Sequence, residues 1–301
     1  MKKLLSKSFL SILTVFTILC LTLFTNAKAS DIKNYKLEST SITLNTKTSE
    51  DILKIHFIDV GQGDSILLQQ GSHNMLIDAG PGESKNSLSS YLSNQGITNF
   101  DYVVGTHPHE DHIGNLAYII NSFKIGNVYF PNITSTTKTF SNFVTALKNK
   151  GLKLTSPKVG STFMLGQAKC TILAPNSNSY DNANNYSIVI RVEYKNNSFL
   201  FTGDAQAVSE SEILKNGLTL KSDVLKIGHH GSNTSTSTNF LNAVNPKYAV
   251  ISVGLNNSYG HPADSTINKL TNKGIQVYRT DENGTIIMES NGSNISISST
   301  K

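Results

Sequence analysis

The stretch Thr106–Gly114, reading Thr-His-Pro-His-Glu-Asp-His-Ile-Gly, constrains this chain more than any other. His107, His109, Asp111 and His112 fall within six positions, and three of the chain's eight histidines are there. Tyr102–Val103–Val104, just before it, reads as a short buried strand, and the residues from Gly114 to Ile120 can open a helix. A histidine–carboxylate cluster at the end of a strand is suited to metal binding. Imidazole nitrogen favours zinc and other first-row ions, and carboxylate tolerates harder ions such as manganese. His107 and His109 alternate, so in an extended segment they point the same way. Asp111 and His112 follow a turn and can face a neighbouring position, which lets one loop feed two adjacent metals.

The N-terminus reads as a secretory signal. Lys2, Lys3 and Lys7 form a basic region, Phe9 to Phe24 an apolar core, and Ala27–Lys28–Ala29 a small-residue cleavage site. Residues 1–29 are assigned to this signal and residues 30–50, rich in Ser, Thr, Asn and Lys, to a polar tether. Residues 51–301 are left as a single domain. Removal of the four lysines before residue 30 takes the formal charge from +5 to 5 − 4 = +1. Charge alone therefore makes no case for nucleic-acid binding. Only Cys170 remains after cleavage, so no intramolecular disulfide is expected, and Cys170 reads as a packed strand residue.

Strands are expected over Ile52–Val60, Ser65–Leu68 and Asn74–Ile77, and helices over Asn86–Gln95 and Ser141–Lys150. The alternation continues through strands at Ile188–Glu193, Ser198–Gly203, Asp223–Gly228 and Tyr248–Val253, with helices after Gln206, Thr238 and Pro262. This order implies an α/β layer fold with buried sheet. Gly61–Gln62–Gly63–Asp64 is a tight turn in which Asp64 serves either as a support for the metal loop or as an ordinary turn acid. His56 and His73 read as ordinary strand or turn residues. There is no P-loop, dinucleotide fingerprint or Gly-x-Ser-x-Gly elbow.

The His-x-His-x-Asp-His phrase resembles the signature loop of the metallo-β-lactamase superfamily. Asp59–Ser65, Thr202–Gly203–Asp204, Lys226–Ser232 and Tyr259–Pro262 are similar to the hydrolase domain of the competence channel ComEC and its free-standing relatives. The resemblance runs from about Leu53 to about Ser290; it is specific for the family and much less so for the substrate. It implies a four-layer αββα sandwich holding two divalent metals, zinc or manganese, that share Asp204. His107 and His109 would hold the first metal, and Asp111, His112 and one of His229 and His230 the second. His229 is preferred by analogy, with His230 facing substrate or supporting the ligands from behind. Asp78 resembles the aspartate that braces the loop without binding metal, and His261 lies in a phrase like the family's last site loop, where it would approach the metals or protonate a leaving group.

One departure stands out: no histidine lies between His112 and His229, where the superfamily usually supplies a third imidazole. Asn185, Ser187 or water is expected there instead. Ser232, with Asn233 and Thr234, offers donors for an oxyanion or, equally, a helix cap.

Paired metals activate water near neutral pH and stabilise attacking and leaving oxygens. The leading expectation is a secreted phosphodiesterase, with DNA the substrate to which the resemblance points, no obligate protein partner and no transmembrane domain in the mature chain; a cell-wall phosphorylcholine or teichoic-acid esterase is the first alternative. Lactone or β-lactam hydrolysis and a metal-stabilised binding module are the remaining alternatives.

Overall fold

The computed structural model describes residues 52–301. The signal and tether assigned to residues 1–50 fall outside the described residues. Among the described residues, no helix is long and apolar enough to cross a membrane.

Strict alternation of side chains builds the layers. In β1 (Leu53–Phe57), Leu53, Ile55 and Phe57 face one core, while Ile58 and Val60 beyond its end join a second. In β2 (Ile66–Gln70) and β3 (His73–Ile77), Ile66, Leu68, Met75 and Ile77 enter the first core and Leu67 and Leu76 the second. β4 (Asn99–Val104), β5 (Lys124–Tyr129) and β6 (Leu154–Thr155) follow in parallel. The second sheet comprises β7 (Thr162–Leu165), β8 (Ala168–Ala174), β9 (Val189–Tyr194), β10 (Asn197–Phe201), β11 (Val224–Lys226), β12 (Tyr248–Ile251) and β13 (Gln276–Arg279). β14 (Ile286–Ser290) and β15 (Ile295–Ser299) return to the first sheet, where β14 pairs antiparallel with β1. The sheet orders are β15-β14-β1-β2-β3-β4-β5-β6 and β13-β12-β11-β10-β9-β8-β7.

Phe199 and Phe201 of β10 and Val192 and Tyr194 of β9 meet the first sheet's Leu53, Phe57 and Met75 in the core between the sheets. α1 (Lys85–Asn94), α2 (Glu110–Ile113), α3 (Leu116–Ser122) and α4 (Lys138–Asn149) follow strands of the first sheet, and the second core lies between these helices and that sheet. α5 (Ala207–Lys215), α6 (Thr238–Val244) and α7 (Asp264–Asn272) cover the second sheet over a third core, and α8 (Thr280–Asn283) is a single turn. Three cores between four layers make the expected αββα sandwich.

Helix positions agree with the sequence within a few residues. The helix expected from Ser141 begins at Lys138, because the Thr137 side chain accepts from the Phe140 N–H and caps it. Pro262 lies before α7, which starts only at Asp264. The sequence reading names no strand over Lys124–Tyr129, where only Val128 is fully buried and the apolar alternation that marks strands is missing.

β3 and β4 run parallel, as do β10, β11 and β12. Their carboxyl ends open into the Asp78 turn, the histidine loop, Thr202–Asp204, Gly228–Gly231 and Ser252–His261. Ligands in α/β sheets collect at such ends.

Candidate metal centre

Asp78 organises the histidine loop. It is fully buried, with φ +58°, at the end of β3. One carboxylate oxygen accepts the Thr106 N–H at 2.7 Å; the other accepts the Thr106 hydroxyl and lies 2.7 Å from His112 Nδ1. With Nδ1 engaged, Nε2 of His112 points away as the free donor. His107 is held likewise, its Nδ1 lying 3.1 Å from Thr106 Oγ1 and 3.4 Å from Ser187 Oγ. Asp78 thus ties the Thr106 backbone and hydroxyl to the His112 ring.

Two groups of donor atoms result, and they share one atom. His107 Nε2 lies 3.0 Å from His109 Nδ1 and 3.7 Å from Asp204 Oδ2. His112 Nε2 is 3.3 Å from the same Asp204 Oδ2 and 3.7 Å from Asp111 Oδ2. His230 Nε2 is 3.1 Å from Asp111 Oδ2 and 3.6 Å from Asp204 Oδ2. Ligands bound at about 2.1 Å with angles of 90–120° sit about 3.0–3.6 Å apart, so these separations suit one ion per group. The buried atoms His112 Nε2, His230 Nε2 and Asp204 Oδ1 have no hydrogen-bond partner, a costly arrangement unless something else satisfies them. Position, donor chemistry and orphaned atoms all fit divalent metals, with His107, His109 and Asp204 in one group and Asp111, His112, His230 and Asp204 in the other.

The charges point the same way. Burial opposes protonation of His112, yet the Asp204, Asp111 and Asp78 carboxylates hold it well above the usual imidazole range. Burial likewise opposes charge on His230, which Asp204, Asp111 and Asp64 nevertheless push up to about 10. His107 is held well below the usual range by burial and then by the neighbouring His112. The cluster therefore attracts positive charge at the donor atoms of His112 and His230.

The geometry departs from the preference for His229: His230 is the histidine gathered with Asp111, His112 and Asp204. The backbone at both positions is left-handed, with φ of +50° and +53°. This turns the His230 ring inward, where Nδ1 donates to the Ser252 carbonyl at 2.9 Å. His229 Nε2 lies 3.8 Å from Asp204 and accepts from Asn184 Nδ2 at 3.3 Å, while its Nδ1 lies 3.0 Å from Thr234 Oγ1.

Asp64 sits behind these ligands. Its Oδ1 is 3.4 Å from His230 Nδ1, and its Oδ2 is 3.9 Å from His112 Nδ1 and 2.7 Å from Lys226 Nζ. Its N–H also donates to the Asp111 carbonyl at 3.1 Å. Of the two roles open to Asp64, support of the metal loop is the one the contacts describe. A Cβ on Gly63 would collide with the Asp111 carbonyl oxygen, so glycine permits this approach. Lys226 escaped the sequence reading, although a lysine in the otherwise apolar Val224–Leu225–Lys226–Ile227 was a signal; it is fully buried.

Three other expectations are revised. Asn185 does not offer its oxygen to the site, because Oδ1 accepts the Gln206 N–H at 3.2 Å. Ser187 stands behind His107 and accepts the Asp204 N–H at 3.0 Å. Asn184, which was not singled out, is nearer the centre: its Nδ2 donates to His229, and its Oδ1 is buried without a partner. Ser232 folds its own loop through Thr234, and the cap of α6 falls to Ser237, whose Oγ accepts from Phe240 N–H at 3.4 Å. His261 does approach the centre, its ring 5.4 Å from that of His229 and 6.4 Å from that of His230. A cavity of about 390 Å³ opens here, lined by His109, Asp111, Asp204, His230, Tyr259 and His261 among others.

Comparison with known proteins agrees with this geometry. The chain is 31% identical over 253 residues to ComE operon protein 3 of Bacillus subtilis (strain 168), covering 77% of this chain and 32% of that protein. It is 30% identical over 242 residues to competence protein ComA of Neisseria gonorrhoeae, covering 76% of this chain and 31% of that one. The chain thus spans about a third of the length of these curated relatives. Among solved structures, the metallo-β-lactamase fold protein YhfI from Bacillus subtilis superposes with a TM-score of 0.52 at 12% identity, covering 75% of this chain and 95% of that one. CmlA, a diiron β-hydroxylase from Streptomyces venezuelae, gives 0.52 at 13% identity over 75% of this chain and 52% of its own. These two likenesses concern the fold alone. The metallo-beta-lactamase superfamily pattern itself matches residues 58–254, a span that begins at the end of β1 and takes in the Asp78 brace, the histidine loop, Asp204 and His230, and by that match the chain belongs to the metallo-β-lactamase superfamily.

Proposed function

We propose that this protein is a secreted, metal-dependent phosphodiesterase with a dinuclear centre, and that DNA is its substrate. The observation that carries the reading is the single oxygen, Asp204 Oδ2, common to both donor groups. His107, His109 and Asp204 would hold one ion, and Asp111, His112, His230 and Asp204 the other. Zinc and manganese are the candidate metals, because each group mixes imidazole with carboxylate. When bound, such a pair supplies Lewis-acid polarisation of a phosphoryl oxygen and activation of an attacking water.

The chain's own groups do the rest. Asp78 and Ser187 fix the ring orientations of His112 and His107. Asp64 with Lys226 backs His230. The imidazole of His261, in the cavity wall, stands where it can hydrogen-bond a leaving oxygen. No side-chain nucleophile is required. DNA enters the reading through the competence proteins that the chain resembles, and secretion through the basic and apolar N-terminal segment.

The test strips metal from the purified protein, restores zinc or manganese, and assays bis(p-nitrophenyl) phosphate beside single- and double-stranded DNA. The expected outcome is metal-dependent cleavage of both, lost in an Asp111→Ala, His112→Ala variant. Cleavage of the dye ester without DNA moves the substrate to cell-wall phosphodiesters. No cleavage with either metal overturns the phosphodiesterase reading.

A further inference from the structure

Tyr259 is one of the most exposed large hydrophobic side chains among the described residues, at 70%, yet it lines the same cavity as the donor groups. Its ring lies 5.8 Å from that of His261 with an interplanar angle of 22°. The His261 ring is in turn 26° from the plane of His230 at 6.4 Å. Three rings, each tilted by no more than 26° from the next, therefore lead from a buried donor of the centre out to solvent.

The loop that carries Tyr259 is pinned in place. Asn257 Oδ1 accepts the N–H groups of Tyr259 and His261, both at 3.1 Å, and its Nδ2 donates to the carbonyls of Gly254 at 3.0 Å and His261 at 2.6 Å. An exposed aromatic ring held on a rigid loop loses little entropy when a ligand covers it.

We infer that Tyr259 is a specificity-determining platform on which an unpaired nucleobase of the substrate strand stacks beside the scissile phosphate. The inference rests on the phosphodiesterase reading of the centre. A phosphate drawn to metals held by the Asp204 donor groups would place the adjoining nucleoside in the cavity that Tyr259 also lines. A planar ring gains from stacking on an exposed tyrosine face, and every base offers such a face, so the contact is tolerant of sequence. In a duplex the base faces are already covered by their neighbours, so the platform favours single strands. A quaternary ammonium would need a cage of several aromatic faces. Among the described residues lining this cavity, Tyr259 is the one that carries a phenyl-type ring.

The test measures binding by fluorescence anisotropy on the manganese-loaded full chain. The probes are a labelled hexathymidylate with phosphorothioate linkages and the same backbone with abasic sites. Wild type is expected to prefer the base-bearing strand about tenfold. Tyr259→Ala should lose that preference, while Tyr259→Phe keeps it. Since the ring is exposed, melting temperature should be the same in all three. A preference that survives in Tyr259→Ala, or none in wild type, overturns the platform. Hydrolysis of bis(p-nitrophenyl) phosphate by wild type is scored separately. Hydrolysis without base preference leaves the phosphodiesterase standing and sinks the platform. Base preference without hydrolysis of any phosphodiester sinks the phosphodiesterase and, with it, a platform that selects the strand to be cleaved.

Discussion

Replacing His230 and His229 separately by alanine tests the assignment of the donor groups most directly. Both positions have nearly the same left-handed backbone, φ +53° and +50°, so the cost of placing alanine there is shared and cancels in the comparison. The contacts differ. His230 Nε2 is 3.1 Å from Asp111 Oδ2 and 3.6 Å from Asp204 Oδ2, within the spacing of two ligands on one ion. His229 Nε2 is 3.8 Å from Asp204 and already accepts from Asn184. Removing a partner that only orients a ligand costs roughly 10–100-fold in metal affinity, and removing a ligand should cost more. The expectation is therefore a loss beyond about 100-fold at one site for His230→Ala, equivalent to more than about 2.7 kcal/mol. For His229→Ala the loss should stay below about 100-fold. Metal content would be measured after equilibration against a chelator that buffers free zinc. Wild type and His229→Ala should retain two ions per chain, and His230→Ala one. If His229→Ala drops to one while His230→Ala keeps two, the assignment from donor spacing is wrong.

Chelation should lower the melting temperature by about 10–20 °C, since metal held at 100 times its dissociation constant adds about 2.7 kcal/mol at each of the two sites and each kcal/mol is worth about 2–4 °C at this size. An unchanged melting curve in EDTA would exclude a metal-stabilised fold. Lys226→Met should cost about 3–5 kcal/mol in urea unfolding, because it leaves the buried Asp64 carboxylate without its 2.7 Å partner; a loss under about 1 kcal/mol would mean that Asp64 does not depend on that cation. Gly114→Ala should destabilise by about 1–3 kcal/mol or more, because its Cβ would meet the backbone nitrogen of Gly82 and the carbonyl oxygen of Gly80, and a neutral result in thermal unfolding would contradict that packing. His56 is held down to about 4 by burial and then by Lys54, so the fold keeps it neutral. Its stabilisation is present above about pH 6.5 and lost as pH falls toward 4, because the unfolded chain binds the extra proton in that window. In urea titrations with EDTA at pH 7.5 and 4.5, His56→Gln should lose less stability on acidification than wild type, by up to roughly 3 kcal/mol; equal losses would show that His56 is not the group responsible.

Much of the architecture was legible because it is periodic or strictly local. Alternating apolar residues in Leu53–Phe57 and the short apolar run Ile66–Leu68 mark strands, and a strand end followed by His107, His109, Asp111 and His112 marks a metal loop whatever surrounds it. The exposed strand Lys124–Tyr129 was not legible, since it has neighbours on its edges but little apolar pattern on its faces. Tertiary structure alone decided between His229 and His230. They are adjacent and chemically identical, and the choice depends on two left-handed backbone positions that carry one ring inward to Ser252 and Asp64. It likewise decided that Asn184, and not Asn185, stands beside the centre, and that Lys226 lies beneath it against an aspartate 162 positions earlier in the chain (226 − 64). Sequence specifies which groups can bind, because ligand chemistry belongs to the residue. It does not specify which group points where, because that direction is set by backbone turns and by partners brought together only when the two sheets close on one another.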